Sequence, residues 1–446
     1  MSEDGRAAQA SPVLRIAGRS LPRGTAAVAC GLLVLGVTSY GFLVISARAL
    51  GPTRYAALSA AWAAVFLVGP GFFQPLEQEV ARAVAARRVS GVPIGPIVRR
   101  SALLGALMVL VLVLVTVGVA RPILRDLFDH DVLLLAGFAG CFAGFCCEHL
   151  ARGVLAGTGR FTRYAVVIGG EGVVRIAACT ILAVVGVASA GPYGLALGLA
   201  PFVAALFLGR APGLTDASTA DAPWGELSRA LGYLLAGSVL SQFLVNAGPL
   251  AVKLLASSRQ QVAAGHFLAG LVVTRVPLFL FASVESALLP NLSALATSGR
   301  YDEFFASLRR LVGFVVLVGA ASVVGVLAAG PFVVRTLFGT GFDVGRLDLA
   351  YLAAGGAAYM LATTLIHPLI ALHGHRRVAA GWLAGAVVFS AVTASLSGLL
   401  FRVEIGFLAG SSVAAASMGA LLRPLLLRPP RTHADEAGIE LPVVEP

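Results

Sequence analysis

Apolar runs of about twenty residues recur from Ala26 to Leu427, separated by short stretches that hold nearly all the charge. Each run is long enough to cross ~30 Å of hydrocarbon as a helix rising ~1.5 Å per residue. Within lipid such runs satisfy their backbone hydrogen bonds internally, as helices. Of the 446 residues 12% are charged and 58% are hydrophobic, whereas soluble domains carry about 25% charged residues. A soluble enzyme, a secreted disulfide scaffold and a disordered chain are excluded. The sequence predicts an all-α, polytopic integral membrane protein.

Reading the runs against their Gly, Pro and Arg breakers gives twelve spans, near 26–47, 56–80, 101–120, 132–156, 165–187, 193–208, 230–254, 262–289, 311–330, 347–372, 378–401 and 405–427. The first run is too long for a signal-peptide core and reads as a retained span. An even number places both termini on one side. Twenty-two of the 33 basic residues fall on that side and nine on the other, so the positive-inside rule predicts cytoplasmic termini in the cytoplasmic (inner) membrane. The chain divides into an N-tail (1–24), a first six-helix bundle (25–208), a cytoplasmic linker (209–229), a second bundle (230–427) and a disordered C-tail (428–446).

The net charge is +11, but the basic residues sit in short clusters between apolar runs rather than along one face. That pattern suits loops at an anionic membrane surface and does not suggest nucleic acid. All five cysteines fall inside apolar segments and none forms C-x-x-C, which argues against disulfide or zinc frameworks.

The two halves match at a nearly constant offset. Arg99-Arg100 recurs as Arg309-Arg310; Arg125, Leu127 and Phe128 recur as Arg335, Leu337 and Phe338; and Ala156-x-x-Gly159 recurs as Ala371-x-x-Gly374. The register therefore holds across three consecutive loops. Six spans per half make the repeats parallel about an axis along the membrane normal, an arrangement found in transporters with a central cleft.

Several loops carry a resemblance. Leu50-Gly51-Pro52-Thr53-Arg54-Tyr55, the turn from Arg152 to Arg160, the segment Leu337–Phe342 and the segment Leu289–Ser293 resemble motifs of polysaccharide flippases. Those proteins belong to the multidrug/oligosaccharidyl-lipid/polysaccharide exporter superfamily. Ala56 and Ala57 stand where that family usually has a glycine after the tyrosine. The charged Gly-x-x-x-Asp signature of major-facilitator transporters is missing between spans two and three, where Gly91–Pro96 stands. The resemblance implies alternating-access flipping of a lipid-linked oligosaccharide, of polyprenyl-diphosphate type, for cell-surface polysaccharide synthesis. Membrane lipids, glycosyltransferases and a polymerase of the same pathway are the implied partners. A cation-coupled drug exporter of the same superfamily and a non-transporting scaffold for glycosyltransferases are the alternatives.

Charge inside a span is costly and is a functional hypothesis by default. Arg275 lies midway along span eight, two positions before Pro277. It is a candidate anion clamp, since guanidinium matches phosphate oxygens, or else a structural ion pair. Gln242 and Asn246, i and i+4 on span seven, suit a hydroxyl-rich substrate or helix–helix hydrogen bonds. Glu171 and Arg175, i and i+4 on span five, can pair with each other or take part in coupling. Glu285 is a second coupling or gate candidate. Glu77, Glu79 and Arg82 are expected at headgroup depth, and Lys253, Arg48 and Arg54 as snorkelling anchors at the outer rim. Tyr301, Phe304, Phe305 and Leu308 predict an interfacial helix on the cytoplasmic leaflet. His266, His367, His373 and His375 lack the spacing of a metal site. No cofactor motif and no catalytic motif occurs, so no cofactor and no enzymatic activity are expected.

Overall fold

A computed structural model describes residues 24–208, 230–278, 300–372 and 374–427, together with the single positions 223, 225, 227, 281, 295 and 298. The predicted N-tail, most of the linker, the C-tail, Glu285, the segment Leu289–Ser293 and His373 lie outside the described residues.

The first bundle holds α1 (Thr25–Val89), α2 (Gly95–Gly118), α3 (Val132–Gly157), α4 (Phe161–Val184) and α5 (Ala190–Leu208). The second holds α6 (Ala230–Leu255), α7 (Ala263–Thr274), α8 (Tyr301–Phe338), α9 (Arg346–Ala371), α10 (His375–Ser395) and α11 (Leu399–Leu427). Among the described residues nine helices are long and apolar enough to cross a membrane, and the shorter apolar helices α5 and α7 join them. The protein is an all-α, multi-pass membrane protein. The face where the described chain begins and ends is called proximal below, and the opposite face distal.

Spans one and two are both in α1, which is 65 residues long and breaks at Gly51 (φ 70°, ψ 167°). Gly51 adopts a conformation closed to side chains. Pro52 then starts the second arm, where its missing N–H costs nothing. The chain thus turns at the distal face without a loop.

The halves repeat each other in packing as well as in sequence. The first arm of α1 packs on α4 and α3 packs on α5; correspondingly α6 packs on α10 and α9 on α11. The equivalent helices α2 and α8 are both peripheral. Leu103, Leu107, Leu110 and Leu114 on α2, and Val316, Leu317, Val324 and Phe332 on α8, face outward, as lipid permits. Small residues set the closest crossings. A Cβ on Gly198 of α5 would strike the carbonyl of Gly137 on α3, and one on Gly137 would strike that of Gly194.

Two boundaries differ from the sequence reading. Tyr301–Leu308 is not a separate interfacial helix but the opening turns of the 38-residue α8. Phe304 and Leu308 are buried there, because the amphipathic face meets the bundle rather than the leaflet. The turn between the last two spans lies at Leu396–Gly398, with Gly398 at φ 85°. Arg402 and Glu404 are therefore inside α11 and not in a loop.

Candidate functional site: a cavity between the lobes

The two bundles close on each other at the distal face. Arg48, near the end of the first arm of α1, reaches the C-terminal end of α8. Its Nε donates to the Leu337 carbonyl at 2.7 Å and its Nη2 to the Thr336 carbonyl. A cation is favourable against the exposed carbonyls of a helix C-terminus. Lys253 at the end of α6 donates to both carboxylate oxygens of Asp129 in the other lobe, at 2.8 and 2.9 Å. Between these contacts Tyr55 is fully buried, with its ring 5.5 Å from Phe342 and 6.4 Å from Phe338. Arg48 and Lys253 are therefore not snorkelling anchors; each is held by the opposite lobe, and Lys253 is 2% exposed. Phe338 and its repeat equivalent Phe128 are both buried. Phe128 packs on Phe138 in its own lobe, while Phe338 seals against the other.

Toward the proximal face the lobes part around a cavity of about 600 Å³. The second arm of α1 contributes Gln74, Gln78, Glu79 and Arg82. Helix α6 contributes Tyr233, Ser238, Ser241 and Gln242. Helices α9 and α10 contribute Tyr359, Thr363, His367, His375 and Trp382. Amides, hydroxyls and aromatic rings predominate. The rings of Tyr359 and Trp382 lie 5.2 Å apart, and the Tyr359 hydroxyl is 2.7 Å from Ser241 Oγ. Glu79 is paired with Arg82 at 2.5 Å. On the bilayer side an apolar groove runs between α1, α6 and α10, lined by Leu67, Val239, Leu240, Phe243 and Val387.

Gln242, Asn246 and Arg275 form one relay behind this wall. Asn246 Nδ2 donates to Gln242 Oε1 at 2.9 Å, and Arg275 Nη1 donates to Asn246 Oδ1 at 3.4 Å. Helix α7 ends at Thr274, and Arg275 occupies its C-cap. Pro277 accounts for the break, since it has no N–H and its ring opposes the preceding helical turn. The guanidinium lies among Tyr40 of α1, Tyr359 of α9 and Asn246. Among the described residues its buried Nε and Nη2 have no hydrogen-bond partner. These two nitrogens share one edge of the planar fork, the edge that grips two oxygens of an anion.

Glu171 and Arg175 also come together, at 2.8 Å, but inside the first lobe rather than at the cavity. Arg175 donates to Ser39 Oγ at 2.8 Å and stands over the rings of Trp62 and Phe66. Beside this pair is a cluster that the sequence does not reveal. Glu77 is 7% exposed, buried within the first lobe. It bonds His149 Nδ1 at 2.7 Å, accepts from Tyr164 Oη at 2.7 Å and pairs with Arg152 at 3.1 Å. Arg152 also reaches Glu148 at 3.4 Å. Among the described residues no group of three His, Cys, Asp or Glu side chains is placed to hold a metal ion.

The distal contacts predict a conformational effect. Replacing Arg48 and Lys253 together with alanine is expected to release the distal seal and shift the population toward a state with the proximal cavity closed. In a background lacking the five native cysteines, Ser241→Cys then reacts several-fold more slowly with a thiol reagent supplied from the proximal side. Unchanged labelling means that these contacts do not hold the lobes.

Fold and cavity together define a two-lobed helical membrane protein with a polar chamber between its halves. No protein-family model matches the chain. It is 28% identical over 416 residues to the uncharacterized protein Rv1510 of Mycobacterium tuberculosis, covering 92% of this chain and 93% of that one. To the uncharacterized protein Rv3630 of the same organism it is 27% identical over 416 residues, covering 89% and 90%. Among solved structures it is similar to a multidrug resistance MATE family transporter of the MOP superfamily in its outward-facing conformation. The TM-score is 0.63 at 15% identity, over 91% of this chain and 95% of that one. An inward-facing conformation of such a transporter gives 0.64 at 14% identity, over 93% and 98%. The chain therefore has the fold of these transporters.

Proposed function

We propose that the protein is an alternating-access transporter that flips a lipid-linked oligosaccharide, of polyprenyl-diphosphate type, across the cytoplasmic membrane for surface polysaccharide synthesis. The observation that carries this reading is the unpartnered Nε/Nη2 edge of Arg275, joined through Asn246 and Gln242 to a cavity of amides, hydroxyls and aromatic rings. Sugar hydroxyls bond well to amides, and their apolar faces lie on aromatic rings. A diphosphate needs a bidentate cation. The apolar groove between α1, α6 and α10 suits a lipid tail left in the bilayer. With the basic proximal face in the cytoplasm, the chamber is open to the side on which such lipids would be loaded. The binding step requires no catalysis and no cofactor from this chain.

The multidrug reading draws on the solved transporters that share the fold. A site for cationic drugs calls for an available carboxylate, whereas Glu79, the carboxylate in the described cavity wall, is paired with Arg82. Extracted polyprenyl-linked glycans from cells lacking the protein, examined by mass spectrometry, separate the two. The flippase reading expects one lipid-linked oligosaccharide to accumulate and the matching surface polymer to disappear. An unchanged lipid profile with heightened drug sensitivity would move the assignment to drug export.

A further inference from the structure

Glu404 stands just over one turn into α11 and is fully buried. Among the described residues neither of its carboxylate oxygens has a hydrogen-bond partner. The group of α9 that acts on it electrostatically is another carboxylate, Asp348. Asp348 is half-buried at the distal end of α9, where its Oδ2 accepts the Gly345 N–H at 3.0 Å.

The neighbouring charges do not neutralise Glu404. Arg402, on its own helix, reaches the Leu255 carbonyl at the end of α6 at 3.5 Å. Lys253 of α6 is held by Asp129. Arg346, at the start of α9, is exposed. Residues 383–395 of α10 are all apolar or hydroxyl-bearing. An ionised glutamate here would be a desolvated charge beside a second negative charge, which burial disfavours. Two neighbouring carboxylates are both acceptors, and one proton between them removes the conflict, as in other carboxyl dyads.

We propose that Glu404 and Asp348 form a proton-binding pair in the second lobe, loaded in this conformation and exchanging its proton with the distal face through Asp348. In the loaded state the Glu404 O–H donates to the Asp348 carboxylate, and unloading releases one proton and leaves two charges. Helix α9 runs from Asp348 to Tyr359, Thr363 and His367 in the cavity wall. Charging the pair pushes α9 and α11 apart at one end of the element that shapes the chamber at the other. Use of that proton to drive transport rests on the transporter reading; the proton site itself does not.

Infrared difference spectroscopy of the full-length protein in lipid nanodiscs, between acidic and alkaline buffer, tests the site. Wild type is expected to show a protonated-carboxyl C=O band that exceeds the band of Glu404→Gln by one group per chain and loses that excess at alkaline pH. Glu404→Gln, which keeps the shape and neutrality of the loaded side chain, removes this one-group component. Asp348→Asn displaces it, and Glu404→Asp restores a shifted one. Bands of equal size in wild type and Glu404→Gln overturn the proposal. So does a wild-type band that sodium abolishes at constant acidic pH, because the pair would then hold a metal cation. None of these readings depends on what the protein carries.

Discussion

Cells carrying Arg275→Ala are expected to accumulate the lipid-linked oligosaccharide as fully as cells without the protein, with transport at limiting substrate reduced roughly 100-fold or more. The figure follows from two charge-assisted hydrogen bonds at about 1.5–3 kcal/mol each, at a factor of ten per ~1.4 kcal/mol. Both would come from Nε and Nη2, which have no partner among the described residues. Nη1 is already given to Asn246, so the substitution leaves one amide oxygen to find another donor and the fold intact. Arg275→Lys keeps the charge but loses the fork, and is expected to retain a small part of the activity. Mass spectrometry of extracted lipids at matched protein levels measures both variants. Full complementation by Arg275→Ala would remove the guanidinium from the substrate site and leave it a structural role.

Gly198→Leu is expected to abolish the folded protein. A Cβ at 198 falls on the Gly137 carbonyl, so the obstacle is backbone and not a side chain that can rotate away. Separation of α3 from α5 then opens much of the interior of the first lobe. Overpacking costs about 1–3 kcal/mol where neighbours can yield, and more where they cannot. The loss here is expected to be at least ~3 kcal/mol. Gly198→Ala is milder, and Gly313→Ala, whose added methyl meets nothing within 4 Å, is neutral. Size-exclusion profiles of fluorescently tagged variants read the outcome. A monodisperse Gly198→Leu protein would show that the two helices cross less tightly than described.

Much of this architecture is legible in the residues. Apolar runs between Arg clusters mark the spans, and the recurrence of Arg125, Leu127 and Phe128 at Arg335, Leu337 and Phe338 marks the duplication. Relations within one helix follow directly from spacing: Glu171 with Arg175 and Gln242 with Asn246 are both i, i+4 and both bonded. Relations between helices do not. Periodicity places Glu77 near a helix end, but only the packing of α3 and α4 against α1 brings His149, Arg152 and Tyr164 onto it. Lys253 resembles any cation at a rim until Asp129 arrives from the other lobe. Glu404 was hidden for another reason. Leu399–Phe401 extends the preceding apolar run, so the turn at Gly398 is masked and the glutamate reads as part of a loop.

The loopless corner at Gly51 has a mechanical consequence. From that corner to Glu79 the second arm of α1 spans 28 residues, an axial reach of about 42 Å at ~1.5 Å per residue. The corner's flanks hold Arg48 and Tyr55, and the far end holds Gln74, Gln78 and Glu79. The arm therefore behaves as a lever with its fulcrum at one surface of the bilayer. A tilt of a few degrees, hardly altering the packing around Gly51, displaces the far end by several ångströms. Occupancy at one membrane surface can thus be felt at the other through a single covalent element, with no signal passed from one helix to the next.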